Sequence, residues 1–444
     1  ASLRVKAAIG TYKASAIVVD SMQTNLSKLA SHPIMVRPGT EGVLVKGLVK
    51  SVLDQDLVDL NVTGQTPQAF KALKQAADTI SLDEVAKQTG ISTEQINDIA
   101  KIFAEASRSI ILCGEGIVRQ QNGYNNVLNL VDLAWVTGKL NQEGSGINTV
   151  VEEGNEQGAL DMGVAPEFLP GPVAFDDEAA KEKYSKAWGA SLPTAHDGST
   201  LMDILQGCRD GKIKALYVVG ENPLATLPKS FGVDKALSNL ELLICQDPFL
   251  TDTAQQAHIV FPACTFAEKD GTVTNQEGKV QFLRPALDPL GESAFDWHIF
   301  VGVANSMGQM LPYETTQDIQ EEIRKLLPGY YNLGQPKKVG ANPNSYLSNG
   351  FVDKVSSRYA SSGGSTNPSR PVGLKLIQLI YHSGKLSTKA SGLMDISPNT
   401  KCLRMSSEEI ERMGLTEGSR VRVTSDHGQV ELAVELDIAA LPGS

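Results

Sequence analysis

Short apolar runs separated by helix-length segments recur along the chain, and no other feature constrains its fold as tightly. Ala14 to Asp20 (ASAIVVD), Ser109 to Cys113 (SIILC), Lys214 to Val219 (KALYVV), Leu240 to Cys245 and His258 to Phe261 have the length and β-branched content of buried strands. Between them lie helical patterns. Gly39 to Val52 is one, and Asn125 to Thr137, ended by Gly138, is another. Ser81 followed by Glu84 is a capping box, and Ser92 and Glu94 precede a helix from Gln95 to Ala106. Alternating short strands and helices mean parallel α/β sheets.

The pattern then changes. Pro328 to Pro371 is rich in Gly, Ser, Asn, Pro and Tyr and reads as a linker or surface excursion. Beyond it, Leu374 to Tyr381, Ser419 to Ser425 and Gln429 to Leu436 look like strands of a small β-barrel, with a short helix from Ser406 to Met413. The expected architecture is α/β. It has two Rossmann-like parallel-sheet domains (1–165 and 166–327), a linker (328–371) and a C-terminal β-barrel (372–444). Ala1 enters directly on a helix-like pattern and Leu441 to Ser444 follows a strand-like run, so both ends read as cuts.

With 444 residues the chain can bury several cores, and its net charge of −11 argues against broad nucleic-acid or anionic-membrane binding. No apolar run reaches the ~18 residues of a bilayer span, and Ala1 to Asp20 does not read as a signal peptide. Cys113, Cys208, Cys245, Cys264 and Cys402 lack the spacing of a metal or cluster site and read as plain small residues of a cytoplasmic protein. The histidines show no ligand spacing.

Several segments carry possible chemistry. Gly220-Glu221-Asn222-Pro223 follows a strand directly, with Asn222 as N-cap and Pro223 at the first helical position. Ligands sit in that crevice of open α/β sheets; Gly220 would allow close approach, helix amides would favour an anion, and Glu221 could accept from a base or ribose. Read alone, the segment is equally a capped strand-to-helix turn. Asp247 also lies just beyond a strand and could read ribose hydroxyls or a guanine edge. Asn275, Glu277 and Lys279 alternate, so an extended segment would put them on one face, whereas a solvated hairpin would not. Gly114 and Gly116 end another strand. Asn155 and Gly158 belong to a polar, glycine-dense loop from Glu152 to Gly163.

Taken in order, these segments resemble the large subunits of the molybdopterin oxidoreductase family. The quoted matches are Gly114 to Gly123, Trp135 to Lys139, Gly158-Ala-Leu-Asp-Met-Gly163, Gly220 to Pro223, Gln246 to Thr251, Phe261 to Ala263, Glu268 to Asn275, Asp296-Trp297 and Arg37 to Thr40. The resemblance implies that the final barrel is of double-psi type and that the domains enclose a bis(guanine dinucleotide) pterin with molybdenum or tungsten. By the same resemblance, Gly220, Glu221, Asn222, Pro223 and Asp247 would lie by one guanine nucleotide. Asn275, Glu277 and Lys279 would lie close to that region. The metal ligand and the iron–sulfur cysteines of the family would fall before Ala1.

Departures from the pattern shape the functional reading. Where formate dehydrogenases have Arg-Gly-Gln-Asn-Asn, this chain has Glu152-Glu153-Gly154-Asn155-Glu156. Carboxylates beside a polyphosphate repel unless they point away. The family's histidine after the glycine pair is Gln121 here, and at the barrel His382 remains while the neighbouring arginine does not. Such losses look like the large subunit of bacterial NADH-quinone oxidoreductase (respiratory complex I), which keeps the fold as scaffold beside NADH-binding and iron–sulfur partner subunits on the cytoplasmic side of the membrane. That is the first expectation. The alternative is a formate dehydrogenase-like catalytic subunit, with His382 and Gln121 as candidate catalytic residues. A redox-inert assembly module is a third.

Overall fold

A computed structural model describes residues 2–120, 122–140, 142–150, 154–193, 199–331, 351–360, 402–426 and 428–437. The chain divides into two compact units, Ala1–Val150 with Gly340–Ser444, and Val151–Val339.

The first unit is built around the helix Glu41–Asp54. Its sequence, EGVLVKGLVKSVLD, is apolar nearly all round, as a fully enclosed helix must be, and Gly42 to Val49 are all buried. Helices Leu82–Thr89, Thr93–Glu105 and Gly123–Val136 pack on it. Gly47 allows one of these approaches, since a Cβ there would stand 2.7 Å from Val85 Cγ1. Ser92 does form a capping box, with Gln95 as the reciprocal partner. Two pairs of short parallel strands lie in this unit: β1 (Ile17–Asp20) with β2 (His32–Met35), and β3 (Ile110–Cys113) with β4 (Gly146–Thr149).

The linker expected over 328–371 contains a packed helix, Phe351–Ala360, against helix Pro67–Ala77. Val355 and Tyr359, one turn apart, are buried in the first unit's core. Arg358 pairs with Asp132, both nearly inaccessible, and Tyr359 Oη donates to Asp132 Oδ2 at 3.2 Å. Lys46 Nζ donates to the Tyr359 carbonyl at 3.3 Å.

In the second unit, β5 (Phe168–Leu169) and β6 (Val173–Ala174) form a small hairpin. The main sheet is wholly parallel, in the order β7 (Ala215–Val219), β8 (Leu242–Asp247), β9 (Ile259–Pro262). One face of it packs Leu243, Cys245 and Val218 against Leu205, Cys208, Ala236 and Leu237 of the flanking helices. On the other, Tyr217 meets Phe261 and Phe300 at ring-centroid distances of 6.3 and 6.0 Å. A separate antiparallel hairpin joins β10 (Gly271–Thr274) to β11 (Val280–Leu283).

The C-terminal strands are β12 (Cys402–Met405), β13 (Arg420–Ser425) and β14 (Gly428–Leu436), in the order β12-β14-β13. Helix Ser407–Arg412 closes over them, burying Ile410 with Met405 and Val434. Of the expected barrel, the described residues show one part. The described strands form an open three-stranded sheet, too few to close on themselves. The further strand expected at Leu374 to Tyr381 lies outside the described residues. The described fold is mixed α/β with small parallel sheets.

Candidate cofactor site

The carboxyl edge of the main sheet gathers several sequence candidates. Gly220 continues the ladder, its amide donating to the Gln246 carbonyl at 2.8 Å. The chain then turns at φ +67°, a left-handed value that favours glycine, and nothing lies within 4 Å of where a Cβ would stand. Glu221 is exposed beside it. Its Oε1 accepts from the Asn222 amide at 2.8 Å and from Thr226 Oγ1 at 3.0 Å, which holds the carboxylate over the turn. Asp247, the last residue of β8, is buried and accepts from the Phe249 amide at 2.8 Å. In the register of β7 and β8 Val219 stands beside Gln246, so Gly220 leaves the sheet beside Asp247 and Glu221 follows one residue on.

Asn222 does not cap its own helix, contrary to expectation. Its Oδ1 accepts from the Thr253 amide at 3.1 Å and the Thr253 hydroxyl at 2.8 Å, so it serves the start of helix Asp252–Gln255. Pro223 does open a helix, but Pro223–Thr226 is a single turn, and the Leu224 amide is taken by Thr253 Oγ1 at 3.3 Å. The expected anion site on those amides is therefore absent from this turn.

Asn155 lies elsewhere in the same unit. Its Oδ1 accepts from the Thr274 amide at 2.8 Å, tying the glycine-dense loop to β10. Gly158 permits this, since a Cβ there would stand 2.2 Å from Asn155 Oδ1. Thr274 Oγ1 pairs in turn with Tyr330 Oη at 2.9 Å, and burial, ahead of Asp161, pushes the Tyr330 phenol up to about 12. Of the two readings open at Asn275, Glu277 and Lys279, the structure shows the hairpin turn. Asn275 Oδ1 accepts from the amides of Glu277 (3.0 Å) and Lys279 (2.9 Å), and Gly278 takes φ +74°. Side chains on such a turn do not alternate, so the shared face is lost. Glu277 and Lys279 are exposed.

In the first unit, Gly114 and Gly116 follow β3, each with nothing within 4 Å of a Cβ position. Gln121, Glu152, Glu153 and His382 lie outside the described residues. No group of three or more His, Cys, Asp or Glu that could hold a metal occurs among the described residues. Cys113, Cys208, Cys245 and Cys264 are free and buried. Burial pushes the Cys245 thiol up, with Asp247 adding to it. The imidazole of His258 is structural, its Nδ1 accepting from the Leu243 amide at 2.9 Å.

Sequence reading missed the polar network under this edge. Gln246, 1% exposed, accepts from Tyr217 Oη at 2.6 Å and donates to Asp296 Oδ1 at 2.8 Å, and Asp296 also pairs with Lys269. The positions of Gln246, Lys269 and Asp296 were visible inside the matched blocks, but their convergence from separate segments was not.

Several known proteins are similar. The chain is 30% identical to the F420-dependent formate dehydrogenase 1 subunit alpha of Methanococcus maripaludis over 93% of its length. It is 30% identical to the NADPH-Fe(3+) oxidoreductase subunit alpha of Geobacter sulfurreducens over 99%. It is 31% identical to formate dehydrogenase H of Escherichia coli over 73%. It spans 64%, 50% and 45% of those three relatives. Acetylene hydratase from Pelobacter acetylenicus shares the fold, with a TM-score of 0.71 at 19% identity, over 97% of this chain and 66% of that one. The molydopterin dinucleotide binding domain matches residues 379–444. The molybdopterin oxidoreductase pattern matches residues 15–306, well over half of the sequence, and the chain belongs to that family.

Proposed function

We propose that this chain forms the cofactor-holding part of a formate dehydrogenase-like oxidoreductase that uses a molybdopterin guanine dinucleotide with molybdenum or tungsten. The observation that carries the cofactor reading is the open space at Gly220, at a sheet edge where Glu221 is exposed and β8 ends on Asp247. Those residues fit the nucleoside end of a dinucleotide, because carboxylates accept from the N–H groups of guanine and the hydroxyls of ribose. They do not fit its phosphates, since the one-turn helix beyond has its first free amide bonded to Thr253. Asn222 fixes the turn and Asp247 and Glu221 orient the base or sugar. Gly114 and Gly116 are candidate contacts proposed from the sequence pattern alone.

Such a group, when bound, exchanges two electrons with a small substrate. For formate the balance is carbon dioxide, one proton and two electrons. We assign the electrons' onward path to partner redox subunits, because the similar proteins from Methanococcus and Geobacter are alpha subunits. No helix among the described residues is long and apolar enough to cross a membrane. From the resemblance of the sequence we propose a peripheral, cytoplasmic subunit, divided as the sequence suggests at about residues 165, 327 and 371.

The scaffold reading, of complex I type, has sequence departures in its favour: the acidic run Glu152 to Glu156 replaces an arginine-containing loop, Gln121 replaces a histidine, and the arginine beside His382 is missing. The named relatives favour the formate reading. Formate-driven reduction of a viologen dye by purified protein tests it. Reduction above the formate-free rate is expected. None, in protein that carries molybdenum or tungsten, excludes formate as the substrate.

A further inference from the structure

Gln246 is buried, uncharged and placed where an aliphatic residue would ordinarily sit, and each end of its amide is assigned by its neighbours. The Asp296 carboxylate only accepts, so the NH2 end must face it. The carbonyl end therefore faces Tyr217, whose hydroxyl must donate. Burial, and after it Asp296, holds the Tyr217 phenol above its ordinary range, in keeping with a retained proton. Lys269 balances the carboxylate from the far side. The chain of bonds thus has one polarity, Tyr217 to Gln246 to Asp296, with Lys269 donating inward.

Its ends fall on separate segments. Tyr217 is in β7, three residues before Gly220. Asp296 opens helix Asp296–Ser306, and Lys269 lies between β9 and β10. The same Gln246 contributes its carbonyl to the Gly220 amide and directly precedes Asp247. Rotation of this residue would move both carboxylate-bearing turns together.

We propose that Gln246 is a positioning residue, and that the Tyr217–Gln246–Asp296–Lys269 chain fixes the Gly220–Glu221 turn and Asp247 in the geometry that receives a nucleoside. The proposal rests on the nucleotide reading of this edge. A swap of polarity tests it. Gln246→Glu alone sets two carboxylates against each other. Asp296→Asn alone leaves the buried amide and Lys269 competing for one oxygen. Together they restore the bonding pattern. The carboxylate introduced at position 246 accepts from Tyr217 and from the amide introduced at position 296, and the oxygen of that amide accepts from Lys269.

Hydrogen–deuterium exchange on the 444-residue chain, over peptides spanning 218–226 and 246–251, reads the geometry without any ligand. Each single variant is expected to exchange at least tenfold faster there, and the double variant within threefold of the parent. Titration with GMP is the second readout, with affinity falling at least tenfold in each single variant and returning in the double. Single variants that exchange like the parent, or a double variant no better protected than the singles, overturn the positioning role. A parent chain that keeps the exchange pattern but ignores GMP overturns the nucleotide reading instead.

Discussion

At Gly158 a single added methyl group would meet Asn155 Oδ1 at 2.2 Å, while that oxygen holds the Thr274 amide. Gly158→Ala must displace Asn155, leaving a strand-end amide to seek another acceptor, at a cost of about 1–3 kcal/mol. Chemical denaturation measures this. An unchanged midpoint would show that the loop repacks freely. Lys46 makes a second residue-scale case. Burial, and after it Arg358, lowers its ammonium from 10.5 to about 8. Between those values the unfolded chain binds a proton that the folded chain has released, so stability rises with pH across that window. Below pH 8 the penalty of the buried charge is present in full. The rise is on the order of 2–3 kcal/mol, and Lys46→Met should flatten it in urea unfolding at pH 7.5, 9 and 10. An identical slope in the variant would remove Lys46 as its source. At this scale the sequence announces residue type but not partner. Asn222 reads as a cap, and it is one, for a helix thirty residues further along. Nothing local encodes that choice.

Among elements, helix Phe351–Ala360 shows how composition misleads. Its neighbours in sequence are Gly, Ser and Asn, yet Val355 and Tyr359 supply the spacing of a packed face. What seats it is partly ionic: Arg358 and Asp132, 4% and 0% exposed, form a buried pair. Breaking a buried pair from one side costs about 3–5 kcal/mol, because a charge stays behind. Asp132→Asn is therefore expected to raise exchange at residues 351–360 before the rest of its unit responds. Uniform destabilisation would mean that the helix is no separate element. The strands and long helices are legible because apolar runs and capping residues act locally. At the Asn275 segment the sequence leaves extension and hairpin both open, and Asn275 and Gly278 enforce the turn.

For the whole molecule, the small parallel sheets follow from the alternating pattern, whereas barrel closure depends on residues beyond the described strands. Family membership is legible because many short blocks recur in fixed order, each unremarkable by itself. The site is legible in part: that Gly220 and Asp247 end neighbouring strands follows from the alternating pattern, but the network beneath them arises from segments far apart in sequence. At the edge itself, Asp247→Ala should weaken GMP binding at least tenfold, read by calorimetry. Equal affinity would place the nucleoside elsewhere. The central claim is that the fold holds a pterin dinucleotide and its metal. Elemental analysis of purified protein containing this chain, paired with assay of GMP released by acid hydrolysis, tests that most directly. Molybdenum or tungsten found together with GMP is the predicted result; protein fully folded but free of both would contradict it.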